Sequence, residues 1–146
     1  MKITDFKHKL SIQMRFSDID GFGHINNGVY NEYYDLGRMY YMRDVLGWLP
    51  GETGRDDQLV VVSIKTDFIG QVFLGQSLEV LTSICTLGNK SLKMMQWLVE
   101  KGSAEPLSAC ESIMAGFRRS SGVSFVLPDE WRNAIKEFEG KEELNV

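Results

Sequence analysis

Phe16-Ser17-Asp18-Ile19-Asp20-Gly21-Phe22-Gly23-His24-Ile25-Asn26-Asn27-Gly28-Val29-Tyr30 is the stretch on which the fold turns, because it joins a strand pattern to a helix pattern. Upstream of it, Leu10 to Ser17 alternates apolar and polar residues, the period of a half-buried strand. Gly21 and Gly23 allow the chain to reverse among turn-forming residues. From Gly28 to Leu46 apolar positions recur at steps of three and four, first Val29, Tyr33, Leu36 and Tyr40, then Tyr30, Tyr34, Gly37 and Tyr41. That spacing predicts one long helix with a broad aromatic face, ended by Gly47, Pro50, Gly51 and Gly54.

Working outward, the chain changes to strand-like runs at Leu59 to Phe68, Ser77 to Leu87, Ser91 to Lys101 and Leu107 to Phe117. Gly88-Asn89-Lys90 and the segment from Lys101 to Pro106 read as hairpin joints, so these strands are expected to be antiparallel neighbours. Val123 to Leu127 is a further short pairing segment, and Pro128-Asp129-Glu130 opens a helix with Trp131, Ile135 and Phe138 on one side. Lys141 to Val146 reads as a frayed tail. The pattern is α+β in one domain over residues 1–146, a curved antiparallel sheet wrapped around a single long helix. Such a sheet leaves an edge and an open face, so self-association is expected.

Composition narrows the function. The 146 residues carry 16 Lys plus Arg against 20 Asp plus Glu, a net charge of -4, the wrong sign for a chain that binds by neutralising a nucleic-acid backbone. The longest apolar runs, such as Leu59 to Val62, fall far short of the roughly 20 residues of a membrane span. With no apolar leader after Lys2, the expected location is the cytoplasm. Cys85 and Cys110 stand apart and cannot close a metal site, and they read as two half-buried strand thiols.

The loop concentrates the chemistry. Two acids, one of only two histidines and two asparagines precede a helix start, where unpaired N–H groups and the positive dipole end favour an anion or a polarised carbonyl. Asp20 is placed to activate water or to attack directly, and the amides near Asn26 and Asn27 to hold a developing oxyanion, an arrangement suited to acyl transfer. Each residue has a plainer reading too. Asp18, Asn26 and Asn27 read equally as caps, His24 as a satisfied turn residue, and Asp20 as an acceptor for the loop's own amides. The five tyrosines read mainly as the face that fills the curved sheet, with Tyr30 the one nearest the loop.

Taken together, Asp18, Asp20, Gly23, His24, Ile25, Asn26, Asn27 and Tyr30, followed by Asp35 and Arg38 on the helix, resemble the hotdog-fold acyl-CoA thioesterases of the 4-hydroxybenzoyl-CoA thioesterase type, among them the YbgC-like and FadM-like bacterial enzymes. Later features fit as well: Val60-Val61, the aromatic Phe68, Gly75 ahead of a strand, and Gly88-Asn89-Lys90-Ser91, so that the resemblance covers about residues 8 to 128. Two departures stand out. Asp35 replaces the family's frequent Glu, and the usual proline between Phe68 and Gly75 is missing.

The resemblance implies a hotdog fold and hydrolysis of an acyl-CoA substrate without metal or redox cofactor. It implies Asp20 as base or nucleophile, Asp18 as structural, the Asn27 amide and with it that of Asn26 as carbonyl donors, and His24 lining or orienting the loop. It also implies a dimer or dimer of dimers with the site between subunits, Tyr30 in the site, Ser91 and Lys90 near the coenzyme arm, and Lys90, Arg118 or Arg119 at its phosphates. Three rivals share the loop: a thioesterase of acyl carrier protein, a non-catalytic acyl-CoA binding module, and a dehydratase. The last would pair His24 with Glu32, but eight residues separate them and the dehydratase loop signature is absent.

Overall fold

The computed structural model describes residues 1–142 and Leu144. Strand β1 (His8–Ile12) leads through the loop to α1 (Asn27–Tyr41), and β2 (Asp57–Phe68), β3 (Leu78–Leu87), β4 (Ser91–Glu100), β5 (Pro106–Arg118), the short β6 (Val123–Ser124) and α2 (Asp129–Glu139) follow. All pairings are antiparallel, in the order β1-β3-β4-β5-β2, with β6 beside β5. Register shifts at Val61/Ser63, Ile84/Thr86 and Leu98/Val99 help the sheet curl around α1. The expected hotdog architecture is present.

Three local expectations need correction. Strand β1 stops at Ile12 instead of running to Ser17, since the Asp18 carboxylate accepts the Arg15 N–H at 2.9 Å and draws residues 16–18 into a tight turn, leaving Phe16 85% exposed. Strand β2 is not a neighbour of β3. Strand β1 already occupies that side of β3, so β2 crosses to the far edge and pairs with β5, Asp57 opposite Arg118 and Phe68 opposite Ser108. In the tail, Leu144 is buried and its carbonyl accepts the Leu87 N–H at 3.1 Å, so this residue is not frayed; Glu143, Asn145 and Val146 lie outside the described residues.

The helix also shows why its sequence is periodic. Its sheet-facing side is Tyr30, Tyr33, Tyr34, Gly37, Arg38 and Tyr41, all buried. After Tyr41 it widens into a π-turn, Met42–Leu46, closed by Gly47 at φ 82°, the left-handed conformation glycine adopts without strain. Its first half packs on Ile25, Val72, Val80, Leu98 and Cys110, and its end meets Trp48, Ile84, Met94, Met114 and Trp131. Between these apolar zones lies a polar layer. Arg38 donates to Gln96 Oε1 at 2.9 Å, and Gln96 Nε2 donates to the Tyr34 carbonyl at 3.0 Å and to Thr82 Oγ1 at 3.1 Å.

Candidate active site

The helix start is built by local hydrogen bonds. Asn26 is the N-cap: its side-chain oxygen accepts the Gly28 N–H at 2.9 Å, and its carbonyl accepts the Val29 N–H at 2.9 Å. Its own N–H is used internally, donating to the Asp18 carbonyl at 3.0 Å. The Asn27 N–H is then the first-turn amide that makes no such bond among the described residues. Asn27 lines a cleft of about 230 Å³ together with His24, Tyr30, Phe68, Gly70 and Val72.

The cleft's far wall comes from the chain after β2. The Ile25 N–H donates to the Val72 carbonyl at 3.0 Å, and His24 bridges to Phe73, whose ring it meets edge-on at 5.0 Å. Tyr30 sets its ring edge-on to Phe68 at 4.9 Å, and burial raises its phenol pKa. None of the lining residues 68–72 was among the expected site residues, Phe68 entering only as part of the family's sequence pattern, because no periodicity reveals which loop folds against another.

Asp20 sits half-exposed in the same loop, seven residues before the helix, and does not line the cleft of the single chain. Its N–H donates to the His24 carbonyl at 2.8 Å, while its Oδ1 accepts the N–H groups of Phe22 at 2.9 Å and His24 at 3.3 Å. Both side-chain bonds fall on one oxygen. Asp18 differs in kind: it is buried, and burial by itself would raise its pKa. The Arg15 N–H, the Tyr33 hydroxyl and the Arg15 guanidinium more than offset this and hold the carboxyl below its usual range.

Lys90 and Ser91 are not brought to this place within one chain. Ser91 pairs with Ala115 at the β4 end nearest the Trp131 cluster, whereas Leu98, beside the helix's first half, lies seven residues further along. At the usual strand rise that is roughly 23 Å. Arg118 shares their end of the sheet, pairing with Asp57 at 3.1 Å and stacking over Phe125. Burial raises both thiol pKa values, of Cys85 and Cys110, so neither is poised as a thiolate. A larger groove of about 610 Å³ runs between β1 and α1, but its charged residues are already engaged, Arg15 with Glu32 and Asp35 with the buried Arg38 behind it, so the helix-start cleft offers the better chemistry. No group of three or more His, Cys, Asp or Glu suited to a metal ion occurs among the described residues, and none of their helices is long and apolar enough to cross a membrane.

Comparison with known proteins agrees with this fold. A family described as the thioesterase-like superfamily matches residues 14–136. The uncharacterized protein YsmA of Bacillus subtilis is 26% identical over 132 residues, 90% of this chain and 87% of that protein. The PA5185 protein of Pseudomonas aeruginosa superposes with a TM-score of 0.85 at 26% identity, covering 94% of each chain. A thioesterase of Thermus thermophilus, solved with coenzyme A and zinc, superposes at 0.80 with 26% identity over 95% of this chain and 98% of its own.

Proposed function

Because the chain belongs to the thioesterase-like superfamily, we propose that it hydrolyses the thioester of an acyl-coenzyme A, giving the free acid and coenzyme A, at the start of α1. The observation that carries this reading is that Asn27, whose amide is unengaged, lines a cleft, with a carboxylate, Asp20, on the loop that leads to it. The thioester oxygen lies at the Asn27 N–H and the positive end of the helix, where charge developing on it is stabilised. Asp20 then acts in one of two ways. As nucleophile it bonds to the carbonyl carbon, the carbon–sulfur bond breaks, thiolate leaves, and water cleaves the resulting anhydride; as base it takes a proton from the water that attacks. Tyr30, His24 and Phe68 enclose the reacting end, and Asn26 keeps the amides aligned.

The same reading takes the enzyme to be a dimer joined through β2. That strand is an edge with exposed Val61, Val62 and Ile64, a surface that asks for a partner. Antiparallel pairing of two β2 edges about a two-fold axis lays the far end of one sheet beside the helix start of the other. Lys90 and Ser91 of the partner subunit then stand near the coenzyme arm, with Arg118 or Arg119 of the partner subunit at its phosphates. Asp20→Asn is expected to lower thiol release from acyl-CoA esters about a hundredfold or more with fold and assembly kept. Near-normal turnover in that variant would remove Asp20 from the mechanism.

A further inference from the structure

Tyr33 lies on the second turn of α1 and does not line the cleft, yet its hydroxyl donates to Asp18 Oδ2 at 2.7 Å. Asp18 is 1% exposed and Tyr33 2%. The same carboxylate receives the Arg15 N–H at 2.9 Å and the Arg15 guanidinium at 3.0 Å, and the Asp18 carbonyl receives the N–H of the cap residue Asn26. Just beyond it Ile19 bridges Ile25, and the turn that carries Asp20 hangs between those two residues. A single buried residue thus ties together the loop's entrance, its exit and the body of the helix.

We propose that Tyr33 is a positioning residue: by holding Asp18 against α1 it fixes the loop that presents Asp20 and the Asn27 amide to the thioester. This rests on the thioesterase reading above. It predicts a pH effect as well. The groups facing Asp18 are Arg15, Tyr33 and, through Arg15, Glu32. A carboxyl held below its ordinary pKa of about 3.9 stabilises the fold above that value, and the contribution is lost as pH falls through the folded pKa. Deleting the Tyr33 hydroxyl removes one of the donors that lower it, so Asp18 protonates at higher pH and its contribution to stability is lost sooner on acidification.

The test compares Tyr33→Phe with Tyr34→Phe. Both phenols are buried on the same helix, but the Tyr34 hydroxyl bonds to Ser108 Oγ at 2.8 Å, away from the loop. Tyr33→Phe is expected to lower kcat about tenfold or more with KM within about twofold, since a small displacement of a catalytic group is enough for such a loss, and to unfold at a higher pH than the wild type on acid titration. Tyr34→Phe is expected to lower Tm alone. Equal effects of the two variants, or an unchanged kcat and acid-unfolding midpoint in Tyr33→Phe, would overturn the proposal. Amide exchange at Ile25 and Asn26 reads the anchoring without turnover, and it should quicken in Tyr33→Phe only. Should the wild type release no thiol from any acyl thioester, the hydrolase reading fails by itself. Exchange then decides the anchor, and unchanged rates at Ile25 and Asn26 would dismiss it.

Discussion

At the scale of single residues, the proposed oxyanion donor is a backbone amide, and a proline can delete it. Asn27 is the first residue of α1, a position where proline's fixed φ suits the helix and its missing N–H breaks no helical bond. The preceding Asn26 has φ -61° and ψ 138°, an extended conformation compatible with a following proline. Asn27→Pro should therefore fold normally and lose about a hundredfold in kcat, the worth of one such donor. Asn27→Ala, which retains the amide, should stay within a few-fold; a fully active Asn27→Pro enzyme would exclude this amide. The residues of this loop were legible in the sequence as a group, yet their separate duties were not. Asp18 and Asp20 differ in burial and in partners, and those depend on Arg15 and Tyr33 reaching the first but not the second.

Between elements, the contact that sets the position of α1 is Gly37. A Cβ built there would stand 2.6 Å from both Gln96 Nε2 and Val80 Cγ1, and the Gln96 amide cannot swing aside without giving up its bonds to Tyr34 and Thr82. Gly37→Ala gains up to about 1 kcal/mol of helix propensity but meets an overpacking cost of about 1–3 kcal/mol. A net loss of up to about 2 kcal/mol is expected, read as a lower urea midpoint at unchanged m-value. Strands β3, β4 and β5 and both helices could be read from periodicity because their signals are local. The end of β1 could not, since its alternation runs on through Phe16 while the Asp18 carboxylate imposes a turn. The neighbour of β2 could not either, because that pairing depends on which edges of the sheet are already taken.

For the whole molecule, the pairing we propose makes a second copy part of the site. Sedimentation should find a species of at least twice the 16.6 kDa chain mass. Ile64→Glu, placing a charge on the exposed β2 edge, should yield monomers of unchanged circular dichroism that release little thiol; an active monomer would contradict the arrangement. The place of β2 in the sheet bears also on how the chain is made. Its partners within the chain, from Ser108 to Arg118, are encoded 40 to 61 residues after their counterparts Phe68 and Asp57. At about 5–20 residues per second, a ribosome leaves this oily ribbon waiting for roughly 2–12 s before its mate emerges. The newborn polypeptide thus passes through an interval in which this stretch is bare and open to neighbouring nascent copies.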